Sequence, residues 1–304
     1  MAVDRVGVCG TDAHIWAGDY PAAPLPLVQG HEIAGRVGDD RVVVEPALSC
    51  GGCYACRTDR RNACADSAVL GVHLDGALSE LIAVPAERVH FAPGLSATAA
   101  AVVEPAAIAL QAVERSQATA GAYALVLGCG PIGLLATRAL ADRGARVAAV
   151  DREPARAERA RRFGATFTTT IDGALDPGRR AAIVEWADRE GPSVVIEATG
   201  APSALAAALD LVVSAGRVVA VGISTAEARL PMSTLPYKEL DLVGSRNSRA
   251  LFPAAIGFVG RHHAVVEELV THRFALAQAQ EAFSLAHHGD PAVGKILLEV
   301  AGHE

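Results

Sequence analysis

The sequence has 304 residues, enough for two domains that each have their own core. Hydrophobic residues make up 51% and charged residues 20%, which is typical of a globular protein and excludes a disordered chain. The net charge of −7 and the low aromatic content of 4% argue against nucleic acid and anionic membrane surfaces as partners.

The first hundred residues are rich in Gly, Pro and Cys and contain short β-like runs at 41–44 and 81–84. No long amphipathic helix is evident there. The start carries no basic segment followed by an apolar run, so we expect no signal peptide and a cytoplasmic protein.

From about residue 106 the pattern changes to strands that alternate with helices. The predicted strands are 124–127, 147–150, 194–197 and 217–221, and helices are predicted from Ile132 and over 203–214. This alternation predicts an α/β fold with a doubly wound parallel sheet covered by helices on both faces. The last segment is predicted to hold a helix near 277–286 and a closing strand at 295–300.

The longest uncharged stretch, 116–137, has the length of a membrane span. It contains four glycines and a proline, which are typical of a strand, a tight turn and a helix. The sequence therefore predicts no association with a membrane.

That stretch carries the pattern Gly128-x-Gly130-x-x-Gly133 between a buried strand and a helix. The glycines allow a tight turn, the approach of a pyrophosphate and close helix packing, so we expect cofactor contacts from Gly128, Gly130, Ile132 and Gly133. The next strand ends in Asp151, whose carboxylate would accept hydrogen bonds from ribose hydroxyls and favour NAD. Arg152 follows it directly, and an arginine there can accommodate the 2′-phosphate of NADP.

Four cysteines lie within 15 residues: Cys50, Cys53, Cys56 and Cys64. Such short spacings let one loop wrap a tetrahedral zinc ion. An iron–sulfur cluster is disfavoured because the spacing differs from the ferredoxin pattern and Ala65, not proline, follows the last cysteine. With four thiolates occupying every position, this zinc would be structural.

Potential ligands for a second metal are Cys9, the adjacent His31 and Glu32, and Glu104, none of which indicates a metal site by itself. Together they have the composition of an open zinc site, which keeps one position for substrate.

The series Cys9-Gly-Thr-Asp-x-His14, Gly30-His-Glu32, the four-cysteine loop, Glu104-Pro and the dinucleotide pattern resembles the zinc-dependent medium-chain dehydrogenase/reductase family. It is most similar to the sorbitol, threonine and sugar-acid dehydrogenase branch, over nearly the whole chain. The resemblance implies a GroES-like, mainly β catalytic domain at 1–107, an NAD-binding Rossmann domain at 108–266 and a segment at 267–304 that returns to the catalytic domain. It also implies a homodimer or homotetramer.

The resemblance further implies roles for individual residues. Cys9 and His31 correspond to catalytic zinc ligands, and either Glu32 or Glu104 would complete the set. Thr11 and His14 correspond to the relay that carries the substrate proton away, and Asp12 to the partner of the ligand histidine. Arg156 corresponds to a basic residue beside the adenosine ribose, and Lys295 to one near the pyrophosphate.

The predicted function is hydride transfer from a secondary alcohol, such as a polyol, sugar acid or amino alcohol, to NAD⁺. Two shortenings separate the chain from the family: Cys9 comes almost at the start, and Val37 is followed at once by the strand of 41–44. Both would expose sheet edges in the catalytic domain. A catalytically impaired NAD-binding remnant is therefore the alternative prediction. The zinc-free quinone reductase branch is disfavoured because it lacks these cysteines.

Overall fold

The computed structural model describes residues 1–171 and 175–300. The strands in the described residues are β1 (Ala2–Val8), β2 (Glu32–Val37), β3 (Asp40–Val44), β4 (Ala47–Leu48), β5 (Ala68–Val69), β6 (Val89–Phe91), β7 (Tyr123–Leu127), β8 (Arg146–Asp151), β9 (Phe167–Thr170), β10 (Val194–Glu197), β11 (Arg217–Ala220), β12 (Asp241–Gly244), β13 (Val270–Ala275) and β14 (Lys295–Glu299). The α-helices are α1 (Gly10–Ala17), α2 (Tyr54–Arg57), α3 (Ala97–Ala100), α4 (Val103–Ser116), α5 (Pro131–Asp142), α6 (Pro154–Arg159), α7 (Pro177–Trp186), α8 (Pro202–Leu211), α9 (Thr234–Lys238), α10 (Phe252–Arg261), α11 (His263–Leu269) and α12 (Ala279–His288).

The chain divides into two compact units. The first consists of Met1–Ala107 and Asn247–Glu304, and the second of Ile108–Arg246. Residues 247–266 were predicted, from the family resemblance, to belong to the Rossmann domain. They cluster with the first unit, because α10 and α11 pack against α3.

The first unit is built on a six-stranded sheet with the order β13-β14-β1-β2-β3-β6. β1 lies in its interior, antiparallel to both β2 and β14. The core on one side of this sheet is formed by buried aliphatic side chains that include Val3, Val6, Ile33 and Val44. The sheet therefore brings the end of β1 and the start of β2 together, and these two points carry the predicted ligands.

A two-residue turn closes the shortened region after Val37. β2 and β3 pair antiparallel with Val37 opposite Asp40, so only Gly38 and Asp39 connect them. Gly38 has φ +61°, the conformation that hairpins of this length require and that glycine adopts most readily. β6 forms one edge of this sheet, and Phe91 at its end is 60% exposed.

The predicted β-run at 81–84 does not form a strand. Leu81 makes only an isolated bridge to Ala2, and the backbone bonds from Val3 N to Glu80 O and from Ile82 N to Met1 O secure this stretch to the start of β1.

The second unit contains a six-stranded sheet in which every neighbouring pair is parallel, with the order β12-β11-β10-β7-β8-β9. Its core combines buried side chains of the strands with those of α7 and α8, among them Leu125, Val195, Ile183 and Leu209. The strand order reverses between β7 and β10, the place where open sheets of this kind bind ligands. The predicted α/β class with a doubly wound sheet and a mainly β domain is confirmed. Within the described residues, no helix is both long enough and apolar enough to cross a membrane.

Candidate active site

Three predicted metal ligands lie together in the first unit. Cys9 follows β1 and is the residue before α1, while His31 and Glu32 stand at the start of β2. Each offers one ligand atom, and these atoms all lie within 4.8 Å of one another. Because β1 and β2 are paired neighbours, with Gly7 opposite Glu32, the sheet register itself assembles the cluster.

Asp12 orients the first two ligands. Its side chain is 1% exposed; Oδ2 accepts the Cys9 backbone N–H at 2.8 Å, and Oδ1 lies 3.5 Å from His31 Nδ1. Burial alone lowers the pKa of His31, but the charges of Asp12 and Cys9 outweigh it and hold that pKa well above its usual value. With Nδ1 directed at Asp12, Nε2 is the nitrogen available to a metal, the arrangement usual for ligand histidines.

Glu32 is held by a buried lysine. Its Oε1 accepts a hydrogen bond from Lys295 Nζ at 2.6 Å, and the same ammonium group donates to Val8 O at 3.1 Å. Glu32 Oε2 lies over Gly7, where a Cβ would come within 1.8 Å of it. Among the described residues Oε2 has no hydrogen-bond partner although it is buried. A buried carboxylate oxygen without a partner, beside a thiol and an imidazole, fits a zinc ion.

Lys295 was predicted to approach the cofactor pyrophosphate. The structure places it in the first unit, 3% exposed, with its ammonium group on Glu32 and Val8. Burial tends to lower its pKa, but the carboxylate of Glu32 reverses this effect and raises the pKa. Lys295 thus belongs to the surroundings of the ligand cluster, and its contact with a pyrophosphate stays a prediction.

Glu104 lies in the first turn of α4 and is partly buried. Burial raises its pKa to about 7, helped by the charge of Glu32 and opposed by those of His31 and Lys295. These couplings place Glu104 near the cluster, but its carboxylate is not among the grouped ligand atoms. The geometry therefore favours Glu32 over Glu104 as the third donor.

The predicted proton relay lies on α1. Thr11 Oγ1 is 3.9 Å from Cys9 Sγ, so the hydroxyl borders the cluster. His14 is exposed, with Nδ1 3.8 Å from Asp19 Oδ2 and its ring edge-to-face with His287 at a centroid distance of 6.5 Å. The two residues occupy one helix face, three positions apart, from the cluster outward to solvent.

The four cysteines of the loop also converge. The Sγ atoms of Cys53 and Cys56 are 3.5 Å apart, those of Cys53 and Cys64 3.8 Å, and those of Cys64 and Cys50 3.5 Å. A zinc ion with Zn–S bonds of about 2.3 Å requires sulfur–sulfur distances of roughly 3.8 Å in a tetrahedron. Backbone N–H groups of Ala65 and Cys56 lower the pKa of Cys53 to about 6, which favours the thiolate that metals bind.

The candidate cofactor pocket is a cleft of about 650 Å³ in the second unit. It is lined by Gly128, Gly130, Asp151 and Arg156 among others. Asp151 is fixed at the end of β8, because Oδ2 accepts the Cys129 N–H at 2.7 Å and Oδ1 the Glu153 N–H at 2.9 Å. The pocket thus presents a carboxylate and backbone groups at the start of α5, as a dinucleotide requires.

Other residues of the glycine turn have packing roles. A Cβ on Gly133 would lie 1.8 Å from Gly128 O, so this glycine brings α5 close to the turn. Neither Gly133 nor Ile132 lines the pocket. Cys129 is buried, and burial followed by the charge of Asp151 raises the pKa of its thiol, so it is an unreactive core residue.

Sequence reasoning missed Glu197, which is buried at the end of β10. Its Oε1 accepts the backbone N–H groups of Thr199 at 2.6 Å and Gly200 at 3.0 Å, and Thr199 lines the pocket. A carboxylate at the end of an apolar strand, followed by Ala-Thr-Gly, is the signal that could have identified it.

Comparison with known proteins identifies the two halves. Residues 1–94 match the family model of the alcohol dehydrogenase GroES-like domain, and residues 131–261 that of the zinc-binding dehydrogenases. L-galactonate-5-dehydrogenase of Escherichia coli K12 is 34% identical over 93% of this chain and 86% of its own length. Sorbitol dehydrogenase of Bacillus subtilis is 32% identical over 94% of this chain and 85% of its own length.

Solved structures agree. An alcohol dehydrogenase from Escherichia coli CFT073 in complex with NADH superposes with a TM-score of 0.88, at 32% identity over 98% of this chain and 90% of that one. A zinc-binding dehydrogenase from Sinorhizobium meliloti bound to NADP gives a TM-score of 0.87, at 27% identity over 98% of this chain and 91% of that one. The resemblance found in the sequence is thereby confirmed. The chain belongs to the zinc-dependent medium-chain dehydrogenase/reductase family of NAD(P)-linked alcohol oxidoreductases, in its sorbitol- and threonine-dehydrogenase-like branch.

Proposed function

We propose that this chain oxidises a secondary hydroxyl group of a small polyol, sugar acid or amino alcohol, with NAD⁺ as the hydride acceptor and zinc held by Cys9, His31 and Glu32. The observation that carries the proposal is the convergence of these three ligands around the buried, unpartnered Oε2 of Glu32. The relatives named for L-galactonate, sorbitol and L-threonine support this substrate class.

The residues around the ligand cluster have different roles in the proposed reaction. A bound zinc ion supplies Lewis acidity, which lowers the pKa of an alcohol hydroxyl so that it ionises near neutral pH. Asp12 keeps His31 oriented, and Lys295 holds the buried Glu32 carboxylate in place by donating a hydrogen bond to its Oε1. Thr11, beside Cys9, accepts the released proton, and the exposed His14 passes it to solvent.

The cysteine loop has a structural role in this proposal. Four thiolates fill all the positions of a tetrahedral ion and leave none for substrate. A second zinc there stabilises the loop of 50–64 and takes no part in the hydride transfer.

Asp151 and the glycine turn bind the dinucleotide. The fixed carboxylate of Asp151 favours the ribose hydroxyls of NAD over the 2′-phosphate of NADP. Gly128, Gly130, Ile132 and Gly133 form the turn beneath the pyrophosphate, and Arg156, which also lines the pocket, adds a basic contact to the cofactor. NAD is thus the proposed cofactor in preference to NADP.

The proposal also covers the cellular compartment, the oligomeric assembly and the partner of the enzyme. None of the six cysteines, all of which lie in the described residues, forms a disulfide, which fits a reducing compartment, and we assign the protein to the cytoplasm. The homodimer or homotetramer typical of the family is the proposed assembly, and a small-molecule alcohol is the partner.

The test counts zinc per chain in the purified wild type and in Cys9→Ser, and follows NADH formation at 340 nm over a panel of polyols, sugar acids and amino alcohols. We expect two zinc ions per chain in the wild type and one in Cys9→Ser. The wild type should form NADH, and Cys9→Ser should not. NAD binding should be equal in both proteins, because Cys9 and Asp151 belong to different units. One zinc ion in both proteins and no turnover would instead establish the impaired NAD-binding remnant.

A further inference from the structure

The cysteine loop is attached to the segment with which the chain re-enters the first unit. This return segment comprises residues 247–250 and begins where the first unit resumes. Asn247 Nδ2 donates to Asn62 O at 3.1 Å, and Arg249 Nη2 forms an ion pair with Asp59 Oδ2. Both contacts link positions more than 180 residues apart in the sequence.

The return segment holds an unfavourable backbone conformation. Asn247 has φ +46° and Ala250 φ +51°, values that side-chain-bearing residues rarely adopt. Ser248 between them is buried, at 6% exposed. Such conformations persist only where the surroundings hold them, so the contacts to the cysteine loop help to maintain them.

Both contacts start from the stretch between two cysteines. Asp59 and Asn62 lie between Cys56 and Cys64, which are both buried. When these two thiolates share one ion, both ends of the stretch 57–63 are fixed. Without the ion, the stretch keeps its short-range backbone hydrogen bonds, such as that from Arg60 N to Ala55 O, but loses the link between its two ends.

We infer that occupation of the four-cysteine site fixes the conformation of the return segment. The inference rests on the proposed structural zinc but assigns that ion a role beyond the stability of its own loop. Ser245 and Arg246, which precede the segment directly, follow the carboxyl end of β12, and Ser245 N still donates to Ala220 O at 2.9 Å. The occupied cysteine loop thereby fixes the backbone at the point where the first unit resumes.

Hydrogen exchange of the peptide 245–252 tests this inference in the zinc-loaded protein. The variant Asp59→Asn removes the ion pair, and Asn247→Asp removes the amide donor. Both keep a residue type that tolerates positive φ, which Asp59 also has at +56°. We expect the double variant to exchange at least tenfold faster than the wild type in this peptide, with two zinc ions still bound. The matched control is Asp19→Asn, which removes an exposed carboxylate of the same unit far from the cysteine loop in the sequence.

Stepwise removal of zinc by a chelator gives the second measurement. Loss of the structural ion should accelerate exchange in the wild type but change little in the double variant, whose attachments are already broken. The inference would be overturned if the peptide exchanged at the wild-type rate in the double variant, or if zinc removal accelerated exchange equally in the wild type and the double variant. The proposed function would stand in either case, provided that the wild type binds two zinc ions. A wild-type protein that binds fewer than two zinc ions would instead contradict the zinc sites on which both proposals rest.

Discussion

The buried ion pair between Lys295 and Glu32 provides the sharpest test of the ligand cluster. Both side chains are almost fully buried, and the ammonium group also satisfies Val8 O. In Lys295→Met the carboxylate stays in the interior without its cation. Breaking a buried pair from one side costs about 3–5 kcal/mol, far more than the ~0–1 kcal/mol of an exposed pair.

For a unit of this size, 1 kcal/mol corresponds to about 2–4 °C in Tm, so we expect Lys295→Met to lower the Tm of the first unit by roughly 10 °C. The chain has two tryptophans, and Trp16 lies in the first unit and Trp186 in the second. A Trp186→Phe background therefore makes Trp16 fluorescence report on the first unit alone. Chelator-treated protein is used so that no bound cation compensates the charge of Glu32.

Two controls separate charge from packing. Adding Glu32→Gln to Lys295→Met removes the unpaired charge, so the double variant should regain most of the lost stability. Asp19→Asn, in an exposed pair with His14, should shift the Tm by less than 3 °C. A drop below 3 °C in Lys295→Met, or a double variant that is no more stable than the single one, would refute the assignment of a buried charge pair.

Three further predictions concern the second unit. Gly133→Ala places a Cβ 1.8 Å from Gly128 O and should lower both the Tm and the affinity for NAD, whereas the Cβ of Gly130→Ala meets no atom within 4 Å and should weaken NAD binding at unchanged Tm. Isothermal titration measures the affinity and thermal unfolding the Tm. Equal Tm values for the two variants would contradict the packing role of Gly133. Asp151→Asn removes one acceptor for the backbone N–H groups and the negative charge that faces the ribose. In steady-state assays the kcat/KM for NADP⁺, divided by that for NAD⁺, should therefore rise at least tenfold. An unchanged value would show that Asp151 does not select the cofactor. Lys238 donates hydrogen bonds to three carbonyl groups at the end of α8. Lys238→Met should lower the free energy of unfolding, measured in urea, by about 2 kcal/mol. A decrease below ~0.5 kcal/mol would show that hydrogen bonds to water replace these three without loss of stability.

Most of the features that could be predicted from the sequence are formed by residues that lie close together in the chain. The convergence of the four cysteines was foreseeable because they all lie within 15 residues. The glycine turn and Asp151 were foreseeable because strand, turn and helix follow one another directly. The parallel sheet followed from the same alternation. In each case the interacting residues are neighbours in the chain, or their spacing is set by one supersecondary unit.

Contacts set by the tertiary fold were not foreseeable. Lys295 and Glu32 are 263 positions apart, and only the pairing of β1 with both β2 and β14 brings them together. Gly7 acquires its role in the same way, because the register places it opposite Glu32. The preference for Glu32 over Glu104 depends on side-chain positions, which no spacing in the sequence encodes. The assignment of 247–266 to the first unit likewise depends on packing against α3.

The turn at Gly38 and Asp39 offers a site for protein engineering. Its residues are exposed, and the two strands that it joins are each held by a second neighbour, β1 on one side and β6 on the other. Inserted residues would therefore extend into solvent without loosening either strand. The ligand end of β2 lies five residues away along the strand, about 17 Å at 3.3 Å per residue. A fluorescent reporter or an affinity peptide could be grafted at this turn while the metal ligands at the opposite end keep their geometry.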